Sequence, residues 1–341
     1  MRAIVPSSTR KSARALHRSA PGMFAKRDAG LYLPALDLWV DASRRRERGY
    51  VSHAHADHAR EHDVVICTPE TAALCAVRFR SRKRIAFETH RFNEPWEIGE
   101  YRLTLFPAGH VLGSAQILVE GSSGRHVYTG DFKLAASRTA EPTECKAADV
   151  LVMECTFGSP HYVFPPREEI EAEIVGFARA ALEDGATPVF YAYSLGKAQE
   201  AMAILGSAGI PMRVHSTVAK IAEVYRACGV GLLPAEQGEG DGTHAEIRPP
   251  GRTNAAPASR KTRTAMLTGW AIDRSARYRY GVDRSFALSD HADYPALLRT
   301  IELVRPRKVL LVHGRDDFTH RLRRLGIDAE YLEEHAQLSL F

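Results

Sequence analysis

The sequence predicts an α/β protein: buried strands ending in metal-binding side chains, with a second, smaller α/β unit inserted into the first. Three observations carry this. The stretch 52–62, SHAHADHAREH, places His53, His55, Asp57 and His58 within six positions, just after the apolar Val51. In extended backbone His53 and His55 point to the same side, because side chains alternate along a strand, and the loop that follows can turn Asp57 and His58 onto a second ion. Further along, short β-like apolar runs each end in a residue of the same kind. These are 103–106 before His110, 126–128 before Asp131, 150–153 before Glu154, 286–288 before Asp290 and His291, and 309–312 before His313. Polar residues on loops held by a buried sheet are where α/β proteins build sites. Finally, helix and strand patterns alternate from 167 to 228, which implies a small parallel sheet.

The elements follow in order. Residues 1–29 are rich in Arg and Ser, nearly free of acids and without apolar periodicity; a disordered basic extension is expected. Segment 30–41 reads as two short strands joined near Pro34. Thr68, Pro69 and Glu70 open a helix over 68–77 as N-cap, first-turn proline and first-turn acid. The run RFRSRKR follows, with Arg80 and Arg82 inside the densest basic cluster. After Pro165 and Pro166, Ile170, Ile174, Phe177 and Ala181 recur on one helical face that Gly185 ends. A strand over 187–192, a helix over 194–205, a strand over 212–215 and a helix over 217–228 complete the inserted pattern. Residues 229–264, rich in Gly, Pro, Ala and charge, read as a long flexible loop. The segment 265–270 is expected to be a strand returning to the main domain, followed by a helix over 295–304, a strand over 308–312, a helix over 319–325 and a strand over 329–332. The domain plan is therefore 30–165 and 265–341 for the main domain, with 166–264 as the insertion.

Composition narrows the function classes. The 341 residues are 45% hydrophobic and 26% charged, enough apolar content for a large core, and no run reaches the roughly 18 apolar residues of a membrane span. A net charge of +5 and a pI of about 8.9 suit a polyanionic partner. Five cysteines without a CxxC pair point to reduced thiols in the cytoplasm, not to a disulfide framework or a zinc finger.

The ordered motifs HAHADH, PAGHVLGSAQ, YTGDFK, LVMECTFG, YSLGKAQE, LSDHAD and LLVHG resemble the metallo-β-lactamase fold of the β-CASP nuclease branch, and within it the bacterial ligase-associated DNA exonucleases. The resemblance implies a four-layer αββα fold with a small α/β β-CASP cap inserted over the active site. It implies two divalent metal ions, Zn²⁺ or Mn²⁺. One ion takes His53, His55 and His110, the other Asp57, His58 and His313, and Asp131 bridges them. His291 carries over as the catalytic acid or as a grip on the scissile phosphate, with Glu154 orienting it. Asp57 counts among the catalytic residues as well as the ligands, and Asp41 as a support for the histidines. Lys197 and Ser194 of the cap, with Arg80 and Arg82, are expected to contact phosphate. Three positions depart from the family pattern: Cys155, Asp290 and Lys197 stand where Ser, a small residue and Arg are commoner.

The implied function is metal-dependent phosphodiester hydrolysis, as a DNA exonuclease in repair working with an ATP-dependent DNA ligase and a DExH-box helicase, with single-stranded DNA as partner. An RNA-processing ribonuclease is the alternative, since His313 is shared with the RNA-cutting branch. A thioester or lactam hydrolase on the same fold would lack the Glu154–His291 pair and the cap. A dead scaffold subunit would lack ligands, and none is missing.

Overall fold

The computed structural model describes residues 23–80, 84–251, 261–314 and 316–332. Among these residues the strands form three sheets. The first takes Ala25–Arg27, Gly30–Leu33, Leu38–Val40, Arg48–Tyr50, Val64–Cys67 and Ala86–Thr89, side by side in chain order. The second runs Ala329–Tyr331, Lys308–Gly314, Val150–Cys155, Gly124–Tyr128, Ala115–Gly121, Tyr101–Pro107, Trp96–Ile98.

Period-two alternation explains why these two sheets stack. Leu103, Leu105, Ile117, Val119 and Val152 meet Leu31, Leu33, Val40, Tyr50 and Ile66 between the sheets. Their neighbours Phe106, Leu118, Leu151 and Met153 join a second apolar cluster with Leu297 and Ile301 of helix Tyr294–Val304 and Phe318 and Leu322 of helix Asp317–Arg324. On the far side, Leu74 and Cys75 of helix Pro69–Arg78 pack on Val65 and Cys67. Helix, sheet, sheet, helix is the four-layer αββα arrangement that the resemblance implies. Local signals set the helix starts. Thr68 accepts the Thr71 N–H at 3.1 Å ahead of Pro69, and Asp293 accepts the Ala296 N–H at 3.0 Å ahead of Pro295.

The third sheet is parallel throughout, in the order Glu236–Gln237, Met212–Val214, Ala245–Arg248, Thr187–Tyr191, Thr262–Leu267, Arg284–Phe286. Helices Arg167–Glu183, Lys197–Ser207 and Ser216–Ala227 belong to it. Apolar residues of this cap, Leu195, Ala198 and Tyr225, are continuous with Val51, Ala54 and Leu112 of the main domain. The cap is seated, not tethered.

Three expectations need correction. Order begins before Gly30: Met23 and Phe24 are buried and Ala25–Arg27 pairs with Gly30–Leu33, while 1–22 lie outside the described residues. The segment 229–264 is no uniform loop, since Ala245–Arg248 is an inner strand of the cap sheet; 252–260 lie outside the described residues. Thr262–Leu267 does not return to the main domain but pairs with Thr187–Tyr191, and Arg284–Phe286 extends the same sheet. The cap therefore draws strands from both sides of the expected boundary at 264. Among the described residues no helix is long and apolar enough to cross a membrane.

Candidate metal centre and acid–base pair

Every predicted ligand sits at or just past the C-terminal end of a strand. Arg48–Tyr50 leads to His53, Tyr101–Pro107 to His110 and Gly124–Tyr128 to Asp131. Lys308–Gly314 carries His313 itself. The second-sheet strands among these share one direction, so their ends share one edge. Gly130 makes the turn into Asp131 possible: its φ is +56°, and a Cβ there would lie 2.7 Å from Ser52.

His53, His55, His110 and Asp131 offer ligand atoms all within 4.8 Å of one another. Each imidazole has one nitrogen occupied behind it. His110 Nδ1 donates to the Asp290 carbonyl at 2.7 Å, and His55 Nε2 to the Leu195 carbonyl of the cap at 3.1 Å. His53 Nδ1 donates to Ser52 Oγ at 3.0 Å, and the Ser52 hydroxyl donates on to Asp41 at 2.6 Å. The inner nitrogens, His53 Nε2, His55 Nδ1 and His110 Nε2, then approach within 2.9–3.1 Å. Three converging lone pairs beside a carboxylate suit a cation. Burial, with the neighbouring His58 and His110, pushes His53 well below the usual histidine range, and burial does the same to His110. Both rings stay neutral, as metal binding requires.

The second set is looser. His58 Nε2 lies 3.3 Å from Asp131 and 3.8 Å from Asp57, whose side chain is 79% exposed. The His313 ring stands 4.9 Å from that of His58. Behind His58, Asp41 accepts Nδ1–H at 2.8 Å, together with the Tyr128 hydroxyl and the Ser52 N–H, each at 2.8 Å. Against the effect of burial, Asp131 and Asp41 raise His58 well above its ordinary value. A metal ion taken up here must displace that proton. Asp131 itself is ionised: burial would raise its carboxyl, but His58 and His291 hold it well below the carboxylate range.

His291 lies on a separate loop, its Nδ1 2.9 and 3.0 Å from the two oxygens of Glu154. Glu154 is fully buried and fixed, accepting the Phe132 N–H at 3.0 Å and the Thr156 hydroxyl at 2.5 Å. His291 Nε2 points the other way, 4.0 Å from Asp131. Burial would lower this histidine, but Glu154 and then Asp131 raise it to about 9. The ring is thus charged at neutral pH, with Nε2 facing the ligand cluster.

Of the expected phosphate contacts, Lys197 is buried and already ion-paired with Asp290. Two of the three departures from the family pattern are thus one contact between cap and main domain. The third, Cys155, is buried beside Glu154. Ser194 is half-buried, its hydroxyl 3.1 Å from that of Thr217. Arg80 is exposed beside the metal loop, and Arg82 lies outside the described residues. Sequence reading missed Ser52, Tyr128 and Thr156, which support ligands through hydroxyls. It also missed the Leu195 and Asp290 carbonyls, because a backbone acceptor leaves no trace in residue type.

Residues 280–337 match RMMBL, the Zn-dependent metallo-hydrolase RNA specificity domain. A protein from Opitutus terrae named "Probable DNA ligase" is 42% identical over 317 residues, covering 91% of this chain and 31% of that one. The "RNase J-like protein" of Methanocaldococcus jannaschii is 30% identical over 179 residues, 46% of this chain and 42% of that protein. The chain thus spans 31–42% of the length of these two relatives. A crystal structure of a protein of unknown function from Enterococcus faecalis V583 shares the fold, with a TM-score of 0.59 at 13% identity, over 85% of this chain and 80% of that one.

Proposed function

Because this chain belongs to the metallo-hydrolases of the β-CASP family, we propose that it is a metal-dependent DNA exonuclease acting in repair. The observation that carries the reading is the Glu154–His291 pair: a buried carboxylate holds a cationic imidazole whose free nitrogen faces Asp131 and the histidine cluster. As a water attacks phosphorus, phosphodiester hydrolysis needs charge stabilisation there and a proton for the departing oxygen. Two divalent ions, Zn²⁺ or Mn²⁺, held by His53, His55, His110 and Asp131 and by Asp57, His58, His313 and Asp131, would supply the first by Lewis-acid polarisation of the phosphoryl oxygen. His291 Nε2 supplies the second, and Glu154 keeps it protonated and aimed. Lys197 and Ser194, on the cap edge that also orients His55, contribute phosphate contacts, with Lys197 exchanging Asp290 for substrate. Arg80 and Arg82 add further phosphate contacts.

Work alongside an ATP-dependent DNA ligase fits the relative named as a probable DNA ligase, of which this chain matches 31%; a DExH-box helicase completes the set we propose. The five free cysteines, three of them buried, fit a reducing cytoplasm. A second reading, an RNA-processing nuclease, is favoured by the match of 280–337 to an RNA specificity domain. Degradation of end-labelled single-stranded DNA and RNA of one sequence, beside a tailed duplex, a blunt duplex and a closed circular single strand, decides between them. The DNA exonuclease should cut linear single-stranded DNA and frayed ends fastest, because unstacking bases costs a few kcal/mol, and should leave the circle intact. Preference for RNA transfers the function to the second reading, and cutting of the circle replaces exonuclease by endonuclease.

A further inference from the structure

We propose that a basic cavity behind the metal loop is a phosphate-binding subsite for the nucleic-acid strand beyond the scissile bond. The proposal rests on the nuclease reading, which uses Arg80, and extends it to Arg45, Arg60 and Arg78.

The cavity holds about 350 Å³ and is lined by Arg45, Arg60, Arg78 and Arg80, with Ala54, Ala56 and Ala59 of the metal loop as one wall and Phe79 and Glu61 completing it. This volume lies in the small-ligand range of roughly 300–1,000 Å³. Three separate segments deliver the guanidinium groups: the loop after Leu38–Val40, the metal loop, and the end of helix Pro69–Arg78.

Among the described residues, Arg45 is the one of the four arginines with an ion pair, to Asp63. Among the described residues Arg60 donates to the carbonyls of Ser43 and Ala59, at 2.8 and 3.3 Å, and to no carboxylate. Arg80 engages Glu61 through its backbone N–H at 2.7 Å, not through its guanidinium. Arg78 is half-buried, and among the described residues its guanidinium has neither a hydrogen bond nor an ion pair. One arginine at a helix C-terminus is favoured by the helix dipole. With Arg45 paired to Asp63 and Glu61 in the lining, guanidinium groups still outnumber carboxylates in this concavity, and arginine forks match phosphate oxygens.

Position supplies the link to catalysis. The alanines of the wall alternate with His53, His55, Asp57 and His58, so the cavity and the metal centre are two sides of one loop. The field of Asp57 reaches Arg78. A strand with one phosphate at the metals can set a neighbouring phosphate here. The shared chemistry is a phosphate monoanion or dianion, either in the backbone or at a strand end.

The test uses the full chain in EDTA and reads binding, not turnover. Fluorescent single-stranded DNA of one sequence is titrated at several salt concentrations in three forms: 5′-phosphorylated, 3′-phosphorylated and unphosphorylated. Arg78→Gln and Arg60→Gln should each weaken binding several-fold and make the salt dependence shallower by about 0.7 in log–log slope. An effect confined to one phosphorylated form assigns the cavity to a terminal phosphate; equal effects on all three assign it to the backbone. Wild-type affinity and slope in both variants overturn the subsite while leaving the nuclease reading intact. A wild-type chain that binds no strand in EDTA and degrades none once Zn²⁺ or Mn²⁺ is restored overturns both. If Arg78→Gln fails to fold, Arg60→Gln carries the same comparison.

Discussion

Asp131 and His291 face each other at 4.0 Å, and one substitution in each separates ligand from acid. Asp131→Ala should abolish activity and lower the metal content that elemental analysis finds in the wild type, which the proposed centre sets at two ions per chain. His291→Ala should keep its metal and lose turnover by roughly 10²–10⁴. Metal loss from the His291 variant would place that residue among the ligands. His62, four residues past His58, offers a different check at the same scale. Its ring is buried, accepts the Arg46 N–H at 3.0 Å through Nδ1 and leaves Nε2 without a partner. Burial pushes it down from 6.5 to about 4. The folded state therefore keeps His62 neutral down to about pH 4, whereas the unfolded chain takes up the proton near 6.5. Its contribution is complete above pH 6.5 and declines between 6.5 and 4, by about 3 kcal/mol in all. His62→Asn keeps an acceptor for Arg46 and removes the titration. In urea unfolding from pH 7 to 4.5, the variant should lose stability less steeply than the wild type. Parallel curves would refute this account of His62.

Strands Val150–Cys155 and Lys308–Gly314 carry Glu154 and His313, and between Glu154 and Cys155 their register shifts. This irregularity aims both residues at the site. At its end His313 has a φ of +50°, and a Cβ on Gly314 would lie 2.3 Å from the Cys155 carbonyl oxygen. Gly314→Ala should destabilise the protein by about 1–3 kcal/mol, as overpacking does, and weaken metal binding through His313. Unchanged unfolding and unchanged metal affinity would show that the strands part freely. Elements like these mark the limit of sequence reading. The ligand strands were legible because each combines local alternation with a chemically marked end, such as Leu103 and Leu105 before His110. Helix Pro69–Arg78 was legible from Thr68, Pro69 and Glu70. Ala245–Arg248 was not, for it is four residues long, followed by two prolines, and takes its place from pairing with Met212–Val214 and Thr187–Tyr191. Such long-range pairing leaves no local period. The strand expected over 265–270 lies three residues earlier, at Thr262–Leu267, and was given to the wrong sheet for the same reason. Within the site, the side-chain ligands were visible from residue type, but the register shift and the carbonyls behind His55 and His110 arise only in the folded chain.

Across the whole molecule, the main domain and the cap meet at the metal centre. The Leu195 carbonyl of the cap holds His55, and the Asp290 carbonyl holds His110. Asp290 also uses its carboxylate to pair with Lys197 at the start of a cap helix, with both side chains buried. Removing either partner alone strands a charge, which in buried pairs costs about 3–5 kcal/mol. Lys197→Met and Asp290→Asn should each destabilise strongly, and the double variant should be more stable than the sum of the two losses implies. Equilibrium unfolding of the four proteins measures the coupling. Additive losses would mean that the two groups act independently.

That contact has a consequence for descent. A lineage drifting away from lysine at 197 or aspartate at 290 by single steps passes through an intermediate whose remaining buried charge needs another partner, such as the substrate phosphate for the lysine. The two positions therefore tend to change together, although they lie 93 positions apart in the chain and sit in different domains. A chimera that takes its cap from one relative and its main domain from another should work only when both parents carry the same pair.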